Sequence, residues 1–440
     1  MKSVIKYVSV FLAALLIMLL ALTCVSLIPT GAIQKKSEES AEYLLQKDTH
    51  FYNFIDGSLG KSPYRAWDCS KVDQIADTIL LSIAYYIDPN HPMESVLWAN
   101  YYDGREDTAS HLRTMNESYQ RTVNGEAPAN KQYLRYWHGS LSIVRPLLTL
   151  LNLRQMKVVQ GIVITALLVY LISLLLKYGL KAEVVCFSIA MIAVSIWFVP
   201  LSLEYTWIFI LMLIGSIIAV RIVKTGRDNK LGMVFFLLGM ATAYFDFLTT
   251  ETLTVLVPLL LIVRIEDRDK AWKLARECLL LWGIAYVGTW AAKWMVSSII
   301  LKENVIPYVR WGAWNDLVVF EKTPVLQVIL RGFLYNLTML FPIGYRIYGG
   351  VIFFLLVILF VFIPAYKKTV TLKRDVNSKQ ILLYLLLGMI VYVRFIVLRN
   401  HVQFHYFFTY RAQAACILAL CFIVLECVER NPRKAVMKNA

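Results

Sequence analysis

The chain has 440 residues, 58% of them hydrophobic and 17% charged, and its mean hydropathy is +0.57. Soluble globular chains are about 45–50% apolar and about 25% charged, so these values exclude a soluble fold and indicate an all-α, polytopic membrane protein. The formal net charge of +15 does not imply nucleic acid as a partner, because the excess Lys and Arg fall in short loops between apolar runs, as positive-inside bias requires. Seven cysteines, with no CxxC or other metal-type spacing, exclude a disulfide framework and structural zinc.

Residues 4–28 follow Lys2 and Lys6 and stay apolar. A signal peptide is the alternative, but the run is long and has no small-x-small cleavage site. It is expected to be an uncleaved first transmembrane helix (1–29) with its N-terminus inside. Residues 30–155 form the main polar portion, a large external loop with interfacial helices. Within it, 71–87 is predicted helical from Ile75, Ile79, Leu80 and Ile83, and a shorter apolar helix over 140–151 is expected in the membrane interface.

Further spans are expected at 157–177, 183–200, 204–223, 231–248, 252–265 and 277–299, giving transmembrane helices 2–7 over 156–300. Residues 301–348 are expected outside. The stretch 327–345 is apolar but interrupted by Arg331, Asn336 and Pro342. Counting it as a span would place the basic loop 367–379 outside, so an interfacial or re-entrant helix is predicted. Spans at 349–366, 380–398 and 406–427 (helices 8–10, 349–428) and a basic tail at 429–440 complete a topology of about ten crossings with both termini cytoplasmic. Asn116 and Asn336 head glycan-acceptor tripeptides, but the motif is short enough to arise by chance.

The ionisable residues of the apolar regions gather at one boundary, where they are costly unless they face protein or water. Asp73 and Asp77, spaced i,i+4, share a helix face and suit a general base with a partner carboxylate or a divalent cation. An acidic first helical turn is the alternative reading. Asp56 competes for the same role, whereas Asp103, Glu106 and Asp107 read as a solvated loop. The stretch 133–146 carries Arg135, His138, Gly139 and Arg145 among Tyr and Trp residues; His138 or Arg135 would meet a phosphate or sugar hydroxyl, while Tyr136 and Trp137 read as interfacial anchors. Asp246 and Glu251 form an acidic, hydroxyl-lined turn, with helix capping as the alternative. Arg394, Arg399, His401, His405 and Arg411 bridge the last two spans and suit a lipid phosphate, which guanidinium groups bind in bidentate fashion. Metal ligation by His401 and His405 would need further ligands. Lys293, between Trp290 and Trp294, reads as snorkelling, and Trp311 and Trp314 as a platform for a sugar ring.

This arrangement of a first span, a large loop with paired acids and many spans with polar rims resembles the GT-C class of membrane glycosyltransferases. The strings ADTILLSIAYYID, RYWHGSLSIVRPLL, YFDFLTTETLT, TWAAKWM and NHVQFHYFFTYRA are also similar to an uncharacterised family of Gram-positive bacterial membrane proteins. The GT-C resemblance implies a polyprenyl-phosphate-linked sugar donor, a cell-surface glycan, lipid or protein as acceptor, Asp77 or Asp73 as base, and Arg394, Arg399 or Arg411 as phosphate holders. It also implies action at the outer face of a bacterial cytoplasmic membrane. A transporter or flippase, or a polymerase or ligase, of a lipid-linked glycan are the alternatives. Transporters place their ionisable groups near the midplane and carry internal repeats, neither of which this sequence displays.

Overall fold

A computed structural model describes residues 2–46, 51–53, 71–105, 114–310, 323–340, 355, 359, 370–373 and 375–430. These are mostly helix. In chain order the helices are α1 (Lys2–Ser26), α2 (Thr30–Leu45), α3 (Gln74–Tyr86), α4 (Pro92–Trp98), α5 (Met115–Val123), α6 (Leu141–Leu147), α7 (Leu153–Lys177), α8 (Lys181–Ala193), α9 (Thr206–Lys224), α10 (Leu231–Phe245), α11 (Leu253–Ile265), α12 (Arg268–Leu301), α13 (Val325–Thr338), α14 (Ser378–Val397), α15 (Arg399–Phe404), α16 (Tyr406–Thr409) and α17 (Ala414–Cys427). Strand structure among the described residues is limited to three short antiparallel pairings: Phe51–Asn53 with Lys71–Asp73, Asn100–Tyr101 with Lys131–Gln132, and Val370–Leu372 with Val428–Arg430.

Six helical stretches are long and apolar enough to cross a membrane: Val4–Ser26, Leu153–Lys177, Thr206–Lys224, Asp269–Leu301, Ser378–Val397 and Tyr406–Cys427. The chain is a helical membrane protein. The other expected spans are shorter. Residues 183–200 divide at Ser195, whose φ is 53°, into α8 and the 3-10 turn Ile196–Leu201. Helices α10 and α11 have 15 and 13 residues, roughly 20–23 Å at 1.5 Å per residue against a hydrocarbon layer of about 30 Å. Residues 253–263 of α11 are all buried, so α11 is the axis around which α9, α12 and α17 pack. The expected span 349–366 lies outside the described residues apart from Leu355 and Leu359.

Residues 30–155 contribute a helical cap. The helix predicted over 71–87 begins at Gln74, because 71–73 pair as a strand. The apolar faces of α2, α3, α5 and α6 share one core with α1 and with one end of α10 and α12: Ile33, Leu81, Tyr119, Trp137 and Leu141 pack with Leu22, Tyr244 and Trp290. Tyr136 and Trp137, expected as interfacial anchors, are instead buried, and Trp137 Nε1 donates to Thr289 O of α12 at 2.8 Å. An indole N–H taken into a core needs a partner, and the Thr289 carbonyl of α12 supplies it.

The 14-residue α13 is too short to cross. It lies against α15, with Gly332 facing Val402 and Asn336 bonded to Gly332 O, Val402 O and Thr409 Oγ1. Asn336 and Asn116 are both buried, which bars either from accepting a glycan in this fold. At the opposite end of the bundle Arg264 ties the C-terminus of α11 to Glu183 of α8 and Glu426 of α17, and Gln380 Nε2 donates to Val263 O at 3.1 Å.

The cap docks through one position that admits no side chain. Gly139 N–H donates to Tyr244 O at 2.9 Å, and a Cβ on Gly139 would lie 2.5 Å from that oxygen and 2.3 Å from the Tyr244 ring. Gly139→Ala is therefore expected to cost about 1–3 kcal/mol through forced displacement of the cap, read as a lower melting temperature in detergent. Gly283→Ala, where a Cβ meets nothing within 4 Å, should leave the melting temperature unchanged or slightly raised.

Candidate functional site

A cavity of about 230 Å³ opens where the cap meets the end of the helical bundle. Helix α3 supplies one wall with Ile75, Ile79 and Ile83, the i, i+4, i+8 stripe of its face. The segment before α6 contributes Tyr133, Arg135, Tyr136 and His138. Glu204 enters from the turn before α9, Phe247 from the turn after α10, and His401, His405 and Phe408 from the α15–α16 corner. One side is thus apolar, and the other carries a carboxylate, a guanidinium and three imidazoles.

Asp77, the expected base, is not among the lining residues. It is fully buried, with Oδ2 2.6 Å from Lys157 Nζ of α7 and Oδ1 accepting from Leu203 N at 2.8 Å. A carboxylate closed off by a salt bridge and a backbone amide is not open to an acceptor hydroxyl, and Asp77 here ties α3 to α7 and to the turn before α9. Its bond to Leu203 fixes the chain immediately before Glu204. Of Asp73 the structure describes only the backbone, in the strand that precedes α3. Asp56, Glu106, Asp107, Trp311 and Trp314 lie outside the described residues. Asp103, expected to be solvated, is 2% exposed and held by Arg105 Nη2 at 2.6 Å and by Asn130.

Glu251 of the acidic turn and Arg394, the latter expected to hold a lipid phosphate, satisfy each other. Arg394 Nε donates to Glu251 Oε1 at 2.5 Å and Nη2 to Oε2 at 2.9 Å, with further bonds to Leu248 O and Thr249 O. Its bidentate face is occupied, which removes it as a phosphate holder. The pair holds the turn at Leu248, whose φ is 63°, and so sets the adjoining Phe247 against the cavity. Asp246 caps the same turn, its Oδ1 accepting from Thr249 N and Oγ1. Arg411 is buried over the rings of Tyr205 and Tyr410 and donates to Phe407 O. Arg145 donates to Ile28 O and Ile87 O, where burial lowers its pKa to about 10; it is a brace inside the cap. Arg399 is half-buried at the start of α15 and does not line the cavity. Lys293 does not snorkel: it is fully buried, and Nζ donates to Leu97 O at 3.1 Å, at the C-terminal end of α4.

Of the expected residues, His138, His401 and His405 do reach the cavity. The rings of His401 and His405 lie 4.6 Å apart, and His405 stacks on Phe408. His138 is 1% exposed and sits among Tyr133, Tyr136 and Phe247. Sequence reasoning missed Glu204 and Lys157. Glu204 lies at the short break between the expected spans 183–200 and 204–223, and a carboxylate in so short a turn was the available signal; Lys157 was hidden as the first basic residue of an apolar run. Among the described residues no group of three or more His, Cys, Asp or Glu is arranged to hold a metal ion. No family model, curated protein or solved structure matches the chain.

Removing one member of a buried ion pair leaves the other uncompensated, at a typical cost of about 3–5 kcal/mol. Asp77→Asn and Lys157→Gln should each lower thermal stability strongly, and the double variant should recover at least half of the loss, measured as melting temperature in detergent.

Burial pushes the His138 imidazole down to about 3, and burial together with the charge of His405 lowers His401. Both are neutral when folded, while the unfolded chain takes up a proton on each near the ordinary value of about 6.5. The unfolded state thus binds more protons between those limits, and stability falls as pH drops through that window. His138 alone contributes a loss of about 2 kcal/mol between pH 6.5 and 5. Wild-type melting temperature should fall over pH 7.5 to 5.0, and His138→Asn, which tolerates the local backbone, should show a shallower fall.

Proposed function

We propose that the protein is a GT-C-like membrane glycosyltransferase that transfers a sugar from a polyprenyl-phosphate carrier to a cell-surface acceptor. The observation that carries this reading is the two-sided cavity: the isoleucine stripe of α3 beside Arg135, Glu204, His401 and His405 matches an amphiphile with a charged, hydroxylated head. Its volume lies just under the ~300 Å³ typical of small-molecule pockets, which suits one sugar residue rather than a chain of them. The reading includes about ten crossings of a bacterial cytoplasmic membrane, both termini inside and the cavity outside.

In this mechanism the acceptor hydroxyl loses its proton to Glu204, in place of Asp77, as its oxygen forms a bond to the anomeric carbon. The bond from that carbon to the carrier phosphate breaks, and its electron pair leaves with the phosphate, whose negative charge Arg135 stabilises together with hydrogen bonds donated by the His401 and His405 rings. Electrostatic groups aimed at charge that develops in the transition state are worth most where water is excluded.

The test is a proteoliposome assay with radiolabelled undecaprenyl-phosphate-glucose and a cell-envelope extract as acceptor. Label should pass from the organic phase to the acceptor, and Glu204→Gln should slow this by about 10²–10³, within the range for a lost general base, while the variant keeps a cooperative melting transition. Passage of the lipid across the bilayer with its sugar bond intact would identify a flippase instead, and unaltered turnover in Glu204→Gln would remove that residue from the mechanism.

A further inference from the structure

Within the cavity, His138 differs from the other imidazoles because its geometry fixes which nitrogen carries the proton. Nε2 lies 2.7 Å from Tyr133 O. A carbonyl oxygen only accepts, so Nε2 must be the N–H donor. Nδ1 is then a lone-pair acceptor as long as the ring is neutral, and a fully buried ring beside Lys293 is held neutral. Nδ1 is buried and has no hydrogen-bond partner, a cost that calls for an explanation.

The ring cannot turn to relieve this. The Nε2 bond pins it, Tyr133, Tyr136 and Phe247 enclose it with centroids 5.1–6.1 Å away, and the backbone is left-handed at φ 54°. That conformation is uncommon for a residue with a side chain and is held only by surroundings that over-determine it; here the flush contact of Gly139 on Tyr244 supplies the constraint. An acceptor cannot bind phosphate oxygens, which at neutral pH are themselves acceptors. It can receive a hydroxyl.

We infer that His138 Nδ1 is a preset acceptor for a ligand hydroxyl, so that the cavity selects a hydroxylated head group at this position and turns the anionic part of the ligand toward Arg135. This rests on the proposed function for the identity of the ligand, and of the two partners expected for His138, a phosphate or a sugar hydroxyl, it selects the hydroxyl.

The experiment uses full-length protein in nanodiscs, with no glycoside detergent, labelled with ¹⁵N-histidine. Three probes are added: undecaprenyl-phosphate-glucose, undecaprenyl phosphate, and dodecyl glucoside. The His138 pair should show a protonated Nε2 and an unprotonated Nδ1. The Nδ1 resonance should move upfield with both glucosides and stay put with undecaprenyl phosphate. His138→Phe, which keeps the aromatic bulk and lacks the acceptor, should weaken undecaprenyl-phosphate-glucose binding about tenfold, the size of one good hydrogen bond, and leave undecaprenyl phosphate within twofold.

A response to dodecyl glucoside without any binding of the two polyprenyl lipids would sustain the inference and refute the proposed donor. Binding of undecaprenyl-phosphate-glucose with an unmoved Nδ1, or equal weakening of both polyprenyl lipids in His138→Phe, would overturn the inference and leave the donor standing. If no probe shifts Nδ1, the hydroxyl site is refuted; if none binds at all, both readings are.

Discussion

Two buried carboxylates, each neutralised by one cation from a distant part of the chain, hold the cap and bundle in register. Asp77 meets Lys157 and the Leu203 amide, joining α3 to α7 and to the turn before α9. Glu251 meets Arg394, joining α11 to α14. Desolvating such charges is costly, and attraction across low dielectric offsets it only where geometry is good and remaining polar atoms are bonded. The pairs therefore act less as a source of net stability than as a condition of assembly: the helices fit only in the arrangement that brings each charge to its partner.

The cavity follows from that condition. Glu204 stands one residue beyond the amide that Asp77 captures, Phe247 stands one residue before the strained turn that Arg394 captures, and the chain beyond Arg394 runs into His401 and His405. Residues that look reactive in the sequence are thus one step removed from the site and locate the groups that line it. The opposite end of the bundle has a different character, where Arg264 gathers Glu183 and Glu426 into a closed knot.

Close backbone approach is the second constraint. The cap seats on α10 at Gly139 and on α12 through the Trp137 indole, and these contacts enclose His138 on a left-handed backbone. Strain at such a residue persists because its neighbours leave no alternative. Polar atoms confined in this way keep a fixed orientation.

The amino-acid sequence by itself determined the helical membrane class, the six long spans, the helical segment at 71–87 and the clustering of ionisable residues at one boundary. Each of these rests on local pattern: apolar length, 3–4 residue spacing and the cost of charge in lipid. Which ionisable groups neutralise one another was decided only by tertiary structure, because pairs such as Asp77 with Lys157 or Glu251 with Arg394 lie far apart in the chain and have no sequence periodicity. The same holds for the short helix α11: its apolar run marks it as a membrane segment, and only the tertiary structure shows that it is packed on all sides. Side chains drawn from five separated segments line the cavity, and only the folded chain brings them to one place.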